Sequence, residues 1–139
     1  MKQQLAAALE KTLENLNRTW NVEELPAAEV EIPRDAAMGD LATTVAMRLT
    51  KILRKPPKDI AALIISEITS IEPDLFETAE IAGPGFINFR FKRSYLLNRL
   101  ERLLTDGSSA LPDLGKGQKI QVEFVSANPT GPLHIGHGR

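Results

Sequence analysis

Residues 80–91 read Glu80-Ile81-Ala82-Gly83-Pro84-Gly85-Phe86-Ile87-Asn88-Phe89-Arg90-Phe91. Two runs flank a Gly-Pro-Gly turn, and that pattern predicts a β-hairpin with strands over 80–82 and 86–91. Successive strand residues point to opposite sides of a sheet. Phe86, Asn88 and Arg90 therefore share one face, while Ile87, Phe89 and Phe91 share the other. The second set is wholly apolar and suits a core. The plain reading of the first is a core aromatic followed by surface polar residues.

Working towards the N-terminus, Pro56-Pro57 ends one helix and starts another over 58–69, with Ile60, Leu63, Ile64 and Ile68 apolar. Asp40 reads as the N-cap of the earlier helix, over 41–54, with Leu41, Val45, Leu49 and Ile52 inward. Residues 33–39 form a loop, and Val30 and Ile32 around Glu31 suggest a short strand. Leu5, Leu9, Leu13 and Leu16 place one apolar stripe on a helix over 2–18. Beyond the hairpin, Ser94 can cap a helix over 95–105 carrying Leu96, Leu97, Leu100, Leu103 and Leu104. Gly, Ser, Pro and Asp concentrate over 106–118, so the domain boundary belongs there. The expected organisation is an α+β domain over 1–108 with a small antiparallel sheet packed by helices, a linker over 109–118, and the start of a second unit over 119–139.

Composition narrows the function classes. The chain has 139 residues, 42% of them hydrophobic, which is enough for one compact domain of ordinary size. Cysteine is absent, which excludes disulfides, thiolate metal sites and cysteine nucleophiles. No apolar run approaches the ~20 residues needed to span a bilayer, and the charged N-terminus lacks a signal peptide's apolar segment. A soluble, cytoplasmic protein is expected. The net charge of −1 hides segregation. Residues 48–58 hold five basic side chains (Arg48, Lys51, Arg54, Lys55 and Lys58) and no acidic one, whereas 59–80 hold six acidic and no basic. A second basic block comprises Arg90, Lys92, Arg93, Arg99 and Arg102. Solvated helix faces explain many such runs, but the distribution also suits a polyanionic partner.

Both histidines, His134 and His137, lie in the last six residues. They follow an alternating run over Lys119–Val125 that reads as a strand, then a loop rich in glycine and proline. Strand, loop and His134-Ile135-Gly136-His137 form the arrangement expected at the first βα turn of a nucleotide-binding α/β fold. A helix starting there aims unpaired N–H groups and its positive dipole end at phosphates. Histidines three apart share a side of that turn, and Gly136 leaves room for a flat ring against the backbone.

The whole run Val122-Glu123-Phe124-Val125-Ser126-Ala127-Asn128-Pro129-Thr130-Gly131-Pro132-Leu133-His134-Ile135-Gly136-His137-Gly138-Arg139 resembles the HIGH signature of class I aminoacyl-tRNA synthetases in its arginyl form. Independently, Gly39-Asp40-Leu41-Ala42-Thr43, Ala46-Met47 and Glu80–Phe89 resemble the extra N-terminal domain of the bacterial arginyl-tRNA synthetases, with Thr44 where many relatives carry Asn. The resemblance covers essentially the whole chain.

That resemblance implies an arginine–tRNA ligase, which joins arginine to AMP using ATP and passes it to the tRNA 3′ end. By the same resemblance, His134 and His137 are the catalytic pair and bind ATP together with Gly136. Glu123, Ser126, Asn128 and His134 contact the arginine. Glu123 faces the guanidinium, where a carboxylate suits a fork of donors. In the N-terminal domain, Phe86 and Asn88 match the residues that read a D-loop base at the tRNA elbow. Arg90, Arg48, Lys51 and Lys55 are candidates for the phosphates around it. The implied partners are the tRNA for arginine, L-arginine and ATP with its Mg2+. No protein-ligated metal and no membrane are implied, and the chain is expected to be a monomer. A KMSKS-like loop is missing from the sequence, so the chain is expected to be an N-terminal fragment, inactive alone, whose last residues open a Rossmann-type catalytic domain. The rival classes are a stand-alone RNA-binding protein and a small nucleotidyltransferase built on the H-x-G-H element.

Overall fold

Gly83 and Gly85 take φ of +54° and +140°, backbone settings that disfavour any side chain. They fold β3 (Phe76–Ala82) back onto β4 (Phe86–Phe91), with the Gly85 N–H donating to the Ala82 carbonyl. The pairing is antiparallel, from Ala82 opposite Phe86 to Phe76 opposite Phe91, and Glu77 is the extra residue of a bulge. In this computed structural model, which describes residues 1–106, 117–119 and 121, the hairpin is the centre of a four-stranded antiparallel sheet of order β1-β2-β4-β3. The other two strands are β1 (Val30–Glu31) and β2 (Leu41–Thr43). β3 begins four residues earlier than its apolar signal suggests, because the cross-strand partners of β4 recruit the polar run Glu77-Thr78-Ala79.

Four helices complete the described residues: α1 (Lys2–Trp20), α2 (Val45–Leu53), α3 (Pro57–Ile71) and α4 (Arg93–Asp106). α1 ends at Asn21 in the left-handed conformation, whose N–H donates to the Asn17 carbonyl. Pro57 opens α3 at the position where its missing N–H costs nothing, with Asp59 in the positive first turn. Leu5, Leu9 and Leu13 of α1 meet Ile60, Ile64 and Ile68 of α3, all at most 2% exposed, over the Ile87, Phe89 and Phe91 face of β4. Phe76 packs its ring 4.9 Å from Phe89 and 5.5 Å from Phe91. Each fully buried side chain of this size stabilises by about 1.5–3 kcal/mol.

The segment 41–54 departs from expectation. Leu41–Thr43 is the strand β2, and the helix begins only at Val45. Asp40 caps no helix. Its N–H donates to the Phe89 carbonyl at 2.8 Å and its Oδ2 accepts the Phe91 N–H at 2.8 Å, which pins the start of β2 to β4. Thr43 supplies the local anchor for α2, its hydroxyl accepting from the Val45 N–H at 3.3 Å and donating to the Glu29 carbonyl at 2.6 Å. Ile52, expected inward, is 45% exposed. The apolar residues of α4 divide between core and solvent. Tyr95 and Leu96 pack on the core, while Leu97 and Leu100 lie 53% and 52% exposed.

The contacts divide the chain into two compact units, Met1–Arg102 and Leu103–Arg139. Of the second, only 103–106, 117–119 and 121 are described. The expected strand over 119–125 lies mostly outside the described residues, as does the loop that follows it. Among the described residues no helix is long and apolar enough to cross a membrane.

Candidate nucleic-acid interface

Sheet register decides what β4 shows on the face away from the helices. Asn88 lies opposite Ala42 on one side and Glu80 on the other, and Glu31 lies opposite Ala42. Directly opposed residues point the same way, so one row crosses the sheet as Glu31, Ala42, Asn88 and Glu80. Phe86, two residues before Asn88, shares that face and stands half-buried.

The expected roles of aromatic and amide are inverted in burial. Asn88 is 8% exposed, although it lies on the side opposite the core. Walls raised by the loop after β1 and by the hairpin turn enclose it, leaving a cavity of about 610 Å³ lined by both Phe86 and Asn88. The Asn88 amide has no hydrogen-bond partner among the described residues, and it stays in contact with the cavity. Open to the cavity, the amide's donors and acceptor can be met by water or by the polar edge of a ligand. Ala42, 3% exposed, lines the cavity beside it with a single methyl group.

The basic residues sort into two groups. Arg48 is engaged locally, its guanidinium 2.7 Å from the Glu29 carboxylate and 3.4 Å from the Ala27 carbonyl. Arg90 donates to the Ala37 carbonyl at 3.0 Å. Lys51 and Lys55 are exposed and form no ion pair among the described residues. Their placement is informative. A Cβ added at Gly85 would fall 2.7 Å from the Pro57 Cβ and 3.3 Å from the Met47 Cγ, so the hairpin turn seats directly on the α2–α3 junction. Pro57 sits between Lys55 and Lys58, so the basic segment comes to the end of the sheet that carries Phe86.

Of the residues lining this cavity, only Phe86 and Asn88 are expected at a site from the sequence; Ile32, Arg34, Met38 and Ala42 are among those that are not. Ala42 lies in the strand that the helical reading of 41–54 obscured, while the other three lie in the segment just before it, read as strand end and loop with no role attached. The Gly39-Asp40 turn is the signal that could have marked them. Glu123, Ser126, Asn128, His134, Gly136 and His137 lie outside the described residues.

A family model described as "Arginyl tRNA synthetase N terminal domain" matches residues 1–91. The chain belongs to that family. The match contains the whole sheet and the cavity beside Asn88. Among curated proteins, arginyl-tRNA synthetase sequences named arginine–tRNA ligase are similar throughout. One from Citrifermentans bemidjiense is 46% identical across 100% of this chain and 26% of its own. One from Listeria monocytogenes is 45% identical across 84% and 21%. The chain thus spans about a quarter of the length of the relatives it matches. Among solved structures, the Thermus thermophilus arginyl-tRNA synthetase aligns with 99% of this chain and 21% of its own, with TM-score 0.58 and 26% identity. The Plasmodium falciparum enzyme covers 73% of this chain and 18% of its own at TM-score 0.63 and 17% identity, a likeness of fold.

Proposed function

We propose that this chain is the tRNA-gripping part of an arginine–tRNA ligase, and that its N-terminal unit holds an unstacked tRNA-elbow base between the Phe86 ring and the Asn88 amide. The observation that carries this reading is the Asn88 side chain, nine-tenths buried, without a partner and facing a cavity it shares with an aromatic ring. Single-stranded RNA bases are recognised by stacking on an aromatic face and by hydrogen bonds at a base edge, and an amide offers both donor and acceptor. Lys51 and Lys55 supply positive charge for the flanking phosphates, next to the turn that leads into Phe86. Glu123, Ser126, Asn128, His134, Gly136 and His137 are assigned to arginine and to ATP with its Mg2+ on family membership alone. The complete ligase activity belongs to the longer relatives and is carried over as part of this proposal.

A titration of the 139-residue chain with a transcript of the tRNA for arginine tests the reading. Removing the stacking ring in Phe86→Ala is expected to weaken binding by about 1–3 kcal/mol, roughly 5- to 150-fold. Asn88→Ala is expected to weaken it by about 1 kcal/mol or more while leaving the thermal midpoint within a degree or two, because the amide bonds nothing in the chain. A structural asparagine gives the opposite pattern, with a lowered midpoint and unchanged affinity. That pattern would sink the proposal.

A further inference from the structure

Loop 32–39 is fastened to β4 at two points near its C-terminal end. Arg90 donates its Nη2 hydrogen to the Ala37 carbonyl at 3.0 Å, and Asp40, at the loop's end, exchanges hydrogen bonds with the backbone of Phe89 and Phe91 at 2.8 Å each. Inside the loop, the Asp35 carboxylate accepts the Ala37 N–H at 2.9 Å and closes a single 3-10 turn over Ala36–Met38. Held this way, the loop sets Ile32 and Met38 on the same cavity as Phe86 and Asn88. The two side chains are 75% and 57% exposed. Large apolar groups left this open contribute little to the unit's own packing. A flat apolar ligand with polar edges would bury them.

We propose that loop 32–39 is the second wall of the base slot, with Met38 and Ile32 covering the face of the base that Phe86 does not, and that Arg90 positions this wall instead of binding a phosphate. The inference rests on the reading of Phe86 and Asn88 as a base site. The guanidinium's fixed fork is what reaches one particular carbonyl, and a lysine ammonium does not reproduce that geometry. The two roles of Arg90 differ in salt dependence. A phosphate ligand releases counterions and contributes about 0.7–0.9 to the slope of log K against log salt, whereas a positioning residue contributes none.

The test titrates the 139-residue chain with the same transcript between about 50 and 200 mM salt. Arg90→Ala is expected to weaken binding about fivefold or more at every salt concentration, with a slope equal to that of the wild type. Arg90→Lys, which keeps the charge, stays weakened. Met38→Ser, at an exposed position that tolerates exchange, weakens binding by a similar factor with an unchanged thermal midpoint. A slope reduced by about 0.7 or more in Arg90→Ala, full rescue by Arg90→Lys, or wild-type affinity in Met38→Ser each overturns the proposal. Wild-type binding equal to that of Phe86→Ala removes the base site, and the wall falls with it.

Discussion

Two residues carry most of the local logic, Gly39 and Asn88. Gly39 has φ +129°, and a Cβ there would sit 2.8 Å from the Phe89 carbonyl oxygen, which is backbone and cannot swing aside. Alanine at this position is expected to cost about 1–3 kcal/mol through strain and displacement of the loop, read as a lower urea midpoint with unchanged m-value. An unchanged midpoint would mean that the loop does not approach β4 as described. Asn88 is the reverse case. Its burial comes from the walls around it, and no other described residue uses its amide, which is left facing the cavity. The cations show why charge runs mislead at this scale. Arg48 and Arg90 belong to basic blocks in the sequence, yet each spends its guanidinium on an acceptor nearby.

Among the elements, the hairpin was readable because alternation over six residues and two glycines agree with each other. The helices α1 and α3 were readable because leucine and isoleucine recur every three or four positions over several turns. β2 was not. Leu41, Val45 and Leu49 satisfy a helical period, and all three are buried, so the period is consistent while its first turn is false. What decides for the strand is long-range pairing with β4, invisible to any local window, and a three-residue strand is too short to alternate. The cavity wall was hidden because loop 32–39 is brought to β4 only by long-range hydrogen bonds through Arg90 and Asp40. α4 shows that an apolar stripe does not always mark a core face, since Leu97 and Leu100 stay half exposed. Paired substitutions separate the cases. Phe89→Ala, fully buried against Phe76, is expected to lose about 3–5 kcal/mol in denaturant melts. Leu97→Ala is expected to change stability by less than about 0.5 kcal/mol. Similar losses for both would contradict the burial pattern.

For the whole molecule, the near-zero net charge argues neither for nor against RNA once it is resolved in space. The hairpin turn rests on the α2–α3 junction, which sets Lys55 and Lys58 on either side of Pro57 beside the strand that carries Phe86 and Asn88. A base slot with cations at one end can grip one nucleotide and the phosphates next to it, and such a grip suits a tRNA elbow better than a regular duplex. The proposed use rests on the cavity and its unpartnered amide, set in a domain whose family and fold come independently from sequence and from strand pairing. Backbone footprinting of the tRNA for arginine by the 139-residue chain tests the central claim most directly. Protection confined to the D-loop at the elbow, lost in Asn88→Ala, is the predicted result. Protection of the acceptor stem or anticodon arm in its place, or a uniform pattern that Asn88→Ala leaves unchanged, would contradict it.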